Sequence, residues 1–267
     1  MKNLTLNTTI GKIEFDILTR LSYDRTFNGK NIVKFSDIAA YLPEGYKYTT
    51  QFVSRLIKKN ILSPIKKGIY TFNPIESMPV GVANFGFAVA DAYMDGKDYY
   101  VGYSSLFNWY GFSEQMFQDV YVINNSVSSK KIIDNTTFHF IKVKKEFMYG
   151  IVAKEVSGGK VKISDKERTM IDLLYWNGAV GGMQQAMKIV EENIKEQKCD
   201  VQKFIDYAIK YQRLSIRKII GVALDNALID DKLTKPLYET IKNTSLTSAK
   251  WDKRNGTKNG KWRVIIQ

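Results

Sequence analysis

One histidine and one cysteine in 267 residues remove most of the usual catalytic vocabulary. Cys199 alone excludes an intramolecular disulfide and fits a reducing compartment. With His139 as the only imidazole, no Cys/His zinc site of ordinary spacing can be assembled. A serine or cysteine nucleophile would have no other histidine as its base. Phosphate-binding glycine loops are missing too, since neither GxxxxGK[ST] nor a strand followed by GxGxxG occurs. No apolar run approaches the roughly 20 residues that cross a bilayer, and MKNLTLNTTIGKIEF lacks the apolar core of a signal peptide. These absences predict a cytoplasmic protein without a membrane, a metal or a cofactor as partner. His139 itself sits in the alternation Thr137–Ile141 and would project to the face opposite Phe138 and Phe140, a structural or exposed position.

Acidic residues are also scarce. There are 27 Asp and Glu against 40 Lys and Arg, a formal charge of +13. The excess is segregated. Residues 1–75 hold twelve basic against five acidic side chains, a net of +7, and residues 244–267 hold six against Asp252 alone, a net of +5. The stretch between them carries the remaining +1. A uniformly lysine-rich composition would spread evenly, so the basic N-terminal segment calls for a polyanion. Hydrophobic content of 44 % argues for packed structure throughout.

What is present in that segment is a pattern. Residues 9–25 place Ile10, Ile13, Phe15, Ile17, Leu18 and Leu21 mostly on one helical face. From Phe35 to Phe72 two short helices and a basic hairpin follow. Ser36 reads as the first N-cap and Pro43-Glu44-Gly45 as the stop. The second helix, about Tyr48 to Asn60, has Tyr48, Phe52, Val53, Leu56 and Ile57 as its apolar side. Thr49, Thr50, Gln51, Ser54, Arg55, Lys58 and Lys59 would form its polar side, residue types that reach base edges and phosphates, with Lys47 just before it as a further DNA contact. The hairpin Ser63–Phe72 turns through Lys66, Lys67 and Gly68. This order of parts is that of a winged helix-turn-helix, with double-stranded DNA as partner. The same polar face would also suit a protein-interaction module.

Pro74 and Pro79 bracket the expected linker, giving a DNA-binding domain over 1–75 and a second domain over 80–267. After a helix over Val82–Met94, strands are predicted at Tyr99–Tyr103, Val120–Ile123, Thr137–Val143, near Tyr149–Lys154 and at Val161–Ile163, the last entered through a Gly158-Gly159 turn. Ser104–Tyr110 has room for two helical turns. Helices follow at Asp165–Trp176, where Ser164 reads as N-cap with Glu167 three residues on, and near Gly182–Glu196, Val201–Tyr211, Ile216–Leu228 and Lys235–Ile241. The fold class is α+β: a winged helix-turn-helix, then a mixed α/β domain with a small sheet and a helical C-terminal half. The basic tail, about 243–267, is interleaved with Trp251 and Trp262 and closes on a strand-like WRVII. It suits a second DNA contact, an RNA contact or a strand that closes the domain.

Carboxylates could still build a metal-dependent nuclease or nucleotide-modifying centre. Glu146, Glu155, Asp165 and Glu167 are the residues available, but no clustering marks them. The first turn of a helix already suits Asp165 and Glu167.

Two passages carry a resemblance. Tyr99–Gln115, YYVGYSSLFNWYGFSEQ, resembles the strand and Ser/Leu/Tyr-Gly passage of AbiEi-type antitoxins. Gly158–Leu174, GGKVKISDKERTMIDLL, is similar to that family's strand followed by Ser-Asp-x-Glu-Arg-Thr-x-x-Asp-Leu-Leu, with Ser164, Asp165, Glu167, Arg168, Thr169 and Asp172 in place. The resemblance implies a transcriptional autorepressor and antitoxin of a type IV toxin–antitoxin system in abortive infection (phage defence). Its N-terminal domain would bind promoter inverted repeats, and its C-terminal domain would counter a nucleotidyltransferase-like toxin, with or without direct contact. The long basic tail departs from the family pattern. The motif residues read as structural: a cap, first-turn acids, and Arg168 placed to pair with Asp172 one turn on.

Overall fold

A computed structural model describes residues 11–43, 47–73, 82–156, 159–248 and 256–266. The expected linker, the Glu44-Gly45 stop, Gly158 and Trp251 lie outside the described residues, as does Ile10. The chain forms an α+β fold whose residues fall into two compact units. One comprises Met1–Gly96 with Ile132–Thr136 and Glu155–Val161, and the other holds the remainder.

In the first unit the order is α1 (Lys12–Asn28), β1 (Ile32–Lys34), α2 (Phe35–Tyr41), α3 (Thr49–Lys58), β2 (Leu62–Lys66), β3 (Ile69–Phe72) and α4 (Val82–Met94). Gly29 ends α1 because it takes the left-handed conformation (φ 64°) and donates to Arg25 O. The three strands pair antiparallel in the order β1-β3-β2, with Val33 opposite Tyr70 and Leu62 opposite Phe72. Ile17, Leu21, Ile38, Phe52, Val53, Leu56 and Phe72 form the core. Each such side chain taken out of water contributes about 1.5–3 kcal/mol. Helix α4 lies against all three strands.

Three expectations for this unit need correction. Lys34, not Ser36, precedes α2 as the N-cap, and its backbone amide is held by the Asp37 carboxylate at 3.0 Å. Tyr48 stands at the start of α3 and is 61 % exposed, so it is outside the buried side formed by Phe52, Val53 and Leu56. Ile13 and Phe15 are also exposed, because α1 turns Glu14 inward instead.

A mixed six-stranded sheet runs in the order β6-β7-β5-β4-β9-β8, from β4 (Tyr99–Gly102), β5 (Val120–Asn124), β6 (Ser129–Ile133), β7 (Thr136–Lys142), β8 (Ile151–Val156) and β9 (Gly159–Ser164). β4 is antiparallel to β5 and parallel to β9, and β5 is parallel to β7. Asp134 and Asn135, both with positive φ, make the two-residue turn between β6 and β7. Tyr103–Leu106 is a single 3-10 turn, where two α-helical turns were expected. The helical half of the second unit contains α5 (Lys166–Tyr175), α6 (Met183–Lys195), α7 (Val201–Lys210), α8 (Leu214–Asn226) and α9 (Asp231–Glu239). Gly181 and Gly182, both with positive φ, lead the chain into α6.

The tail is part of this core. β10 (Thr247–Ser248), β11 (Thr257–Asn259) and β12 (Val264–Ile266) form a small sheet, and Trp262 is fully buried. Its indole Nε1 donates to Asp225 Oδ2 at 2.7 Å. The ring lies directly on α8, where a Cβ added to Gly221 would come within 2.1 Å of it. Lys261 is paired with Asp225 and Asp231, and Arg263 donates to Lys242 O and Thr244 O.

Candidate functional site

Two sets of residues singled out from the sequence can be located, one in each unit. On α3, Thr50, Gln51, Ser54, Arg55 and Lys58 are all exposed. Their spacing follows one helical stripe, opposite Phe52, Val53 and Leu56. The Arg55 guanidinium carbon lies 5.6 Å from the Phe52 ring centroid. Thr49, the first helical residue, is half-buried. Lys47 before the helix and Lys67 at the hairpin turn are exposed. Gly68 permits that turn with φ 77°, and its carbonyl accepts from Phe35 N at 2.8 Å.

Two lysines assigned to the same surface are engaged elsewhere. Lys59 Nζ lies 2.5 Å from Glu14 Oε1 on α1. Lys66 Nζ donates to Tyr93 O and pairs with Asp95, both at 3.0 Å. A charge with a partner of its own in the fold is less available to a phosphate. The exposed stripe is thus shorter and more central than the sequence implied.

In the second unit the SDKERT passage is an almost wholly buried polar knot. Asp165, not Ser164, is the N-cap of α5, its Oδ1 accepting from Arg168 N at 2.9 Å. Ser164 ends β9 with no exposure, bonds Thr169 Oγ1 at 2.9 Å, and accepts at its carbonyl from Tyr110 OH. This places a residue of the first resembling passage on the second. Thr169 in turn donates to Asp165 O. Asp165 Oδ2 accepts from Tyr207 OH and Lys203 Nζ, both at 3.0 Å. Glu167 accepts from Asp200 N and Lys203 Nζ, also at 3.0 Å. Lys203 therefore bridges two carboxylates on α5 from α7. Its partial burial opposes the charge, but the bonds from Asp165 and Glu167 outweigh that and raise its pKa.

Arg168 and Asp172 pair one turn apart, as their spacing implied, with Nη2 to Oδ1 at 3.3 Å. The guanidinium lies over the rings of Tyr149 and Tyr211, 4.5 and 5.2 Å from their centroids, and Nη2 donates to Tyr100 OH. Complete burial raises the Asp172 pKa to about 6 even though Arg168 opposes the shift. Gly150 allows this closure. Its φ is 67°, its carbonyl accepts from Asp165 N, and an added Cβ would lie 2.7 Å from Arg168 Cβ. Sequence reading missed Lys203, Tyr207, Tyr149 and Tyr211, because nothing in their local spacing says which face they meet.

The other carboxylates considered for metal chemistry, Glu146 and Glu155, are exposed. Among the described residues, no three of the His, Cys, Asp and Glu side chains are grouped so as to hold a metal ion, and no helix is long and apolar enough to cross a membrane. His139 is half-buried, bonded through Nε2 to Asp119 Oδ2 at 2.7 Å and stacked on Tyr121.

No protein-family model matches the chain. No curated protein matches it either. Among solved structures, it is similar to the RV2827C protein from Mycobacterium tuberculosis, with a TM-score of 0.72 and 10 % sequence identity over 97 % of this chain and 92 % of that one. At that identity the likeness concerns the fold alone.

Proposed function

We propose that this protein is a DNA-binding transcriptional autorepressor and an antitoxin of a type IV toxin–antitoxin system, acting in the cytoplasm. In this reading the first unit is a winged helix-turn-helix, and its helix–strand–helix–helix–hairpin order supports that assignment. The observation that carries the reading is the exposed stripe Thr50, Gln51, Ser54, Arg55 and Lys58 on α3, flanked by exposed Lys47 and Lys67. Arginine and glutamine suit bidentate contact with guanine and adenine edges, while the flanking lysines suit phosphates. The second unit would supply antitoxicity against a nucleotidyltransferase-like toxin. Its family-motif residues are occupied with one another and with Lys203, which supports a structural role for them and a protein without a catalytic step.

Fluorescence anisotropy of the native promoter fragment tests the DNA half of the reading, with binding expected at low salt and weakening steeply as salt rises. An anisotropy unchanged by the protein at low salt rejects it. Co-expression with the product of a neighbouring nucleotidyltransferase-like gene tests the antitoxin half, rescue of growth being the expected result. Cleavage of plasmid or RNA in Mg²⁺ or Mn²⁺ that is lost on Asp165→Asn or Glu167→Gln would point instead to an enzyme.

A further inference from the structure

The second unit contains an open cavity of about 560 Å³ whose walls include Ser104, Gln115, Gln118, Tyr121, Trp176 and Asn177. Its aromatic wall is ordered by stacking. Tyr103 covers one face of Trp176 (centroids 5.5 Å apart, planes 11° apart), and His139 covers one face of Tyr121 (4.6 Å, 9°). Trp176 remains 38 % exposed, so part of a rigid indole is still presented to the cavity and to solvent. Tyr121 meets Trp176 edge-on at 5.6 Å and closes the corner. Polar chemistry comes from the amides of Gln115 and Gln118, each able both to donate and to accept, and from Asn177, whose Nδ2 already donates to Leu174 O at 2.9 Å. No lysine or arginine is among the lining residues, and the one ionisable acid there, Asp119, is bonded to His139.

We infer that this cavity binds a nucleobase, stacked on Trp176 and read at its edge by the amides. An exposed indole stacks on any flat heterocycle, and side-chain amides match the alternating donors and acceptors of a base edge. With no lining cation and with the Asp119 carboxylate present, the walls disfavour a phosphate as the anchor. The recognised chemistry is therefore the base itself, carried by a free nucleoside or by an unstacked position in a single strand whose phosphates stay outside. This site is separate from the proposed DNA-contacting stripe on α3 and does not depend on it.

Isothermal titration calorimetry of the full chain with the four ribonucleosides, and with short single-stranded homopolymers, tests the assignment. Saturable binding is expected for at least one of them, with little salt dependence for the nucleoside. Trp176→Ala should weaken it about tenfold or more, and Trp176→Phe should retain most of it. Gln118→Ala should change which base is preferred. Nucleoside binding that depends on Trp176 identifies the free compound as the source, and binding of homopolymers alone, equally dependent, identifies the single strand. The assignment is overturned if nothing saturates at millimolar concentration, if Trp176→Ala binds like wild type, or if ribose binds as well as a nucleoside. Should Trp176→Ala fail to fold by circular dichroism, Trp176→Phe and Gln118→Ala decide it by the same readouts.

Discussion

Lys59 at the end of α3 and Glu14 on α1 form an ion pair of 2.5 Å with the carboxylate side chain only 8 % exposed. The pair takes a cation off the proposed DNA face and uses it to hold two helices together. Lys58, its neighbour in sequence, points outward. Lys59→Ala is expected to destabilise the first unit by roughly 1–3 kcal/mol, because it leaves a buried carboxylate unpaired. Lys58→Ala should stay within about 0.5 kcal/mol of wild type in stability and weaken DNA binding instead. Thermal melts and anisotropy on both variants check the contrast, and equal effects of the two on melting would remove it.

On the proposed DNA-binding role, the α3 stripe would read bases and the exposed lysines flanking it would anchor phosphates. Gln51→Ala and Arg55→Ala should each cost roughly 1–3 kcal/mol on the preferred operator and much less on unrelated duplexes, flattening sequence preference. Lys67→Ala should weaken all duplexes alike and reduce the slope of log K against log salt by about 1. Lys66→Ala should change that slope less, since Lys66 already pairs with Asp95 and Tyr93 O. Competition titrations across salt concentrations separate these outcomes.

Much of this was legible before any coordinates. The helix Val82–Met94 and the helices from α5 onward carry strong periodicity, and the Arg168–Asp172 pair follows from spacing alone. Strands β1 and β6 were missed because three- and five-residue segments such as Ile32–Lys34 and Ser129–Ile133 are too short or too polar to show a period. The partners of Lys59, Lys66 and Asp165 were illegible for a different reason. Glu14, Asp95 and Tyr207 lie 45, 29 and 42 residues away from them in sequence, and no local rule says which surface will be packed against each. The tail was open to three readings from sequence, and the strand-like WRVII is a strand in the fold: Val264–Ile266 is β12, and Lys261 and Arg263 are engaged within the fold.

The buried pair on α5 makes stability depend on pH. Asp172 titrates near 6 in the folded state, above the value of about 4 for an unfolded aspartate. Because the folded value is the higher one, the stabilisation linked to this proton is fully present below about pH 4. It is lost as pH rises through about 6. Asp172→Asn, which cannot titrate, should remove that slope. Melting of wild type and variant between pH 4 and 7 should therefore show their difference shifting against the wild type as pH rises. A constant difference across this range would mean that Asp172 does not titrate there.

Trp262 is the sharpest probe of what the tail does. The ring fills the space above Gly221, bonds Asp225, and meets Tyr238 edge-on at 5.9 Å. Truncation to alanine empties a fully buried site of the largest side chain and leaves the Asp225 oxygen without that partner, so Trp262→Ala should cost about 3–5 kcal/mol. Gly221→Ala probes the same contact from the other side. Alanine is ordinarily better than glycine within a helix by about 1 kcal/mol, yet here its methyl group would meet the indole at 2.1 Å. The substitution should therefore destabilise despite the gain in helix propensity. Denaturant unfolding of both variants checks the contact. If the tail were a free nucleic-acid arm, Trp262→Ala would leave the midpoint unchanged and Gly221→Ala would raise it.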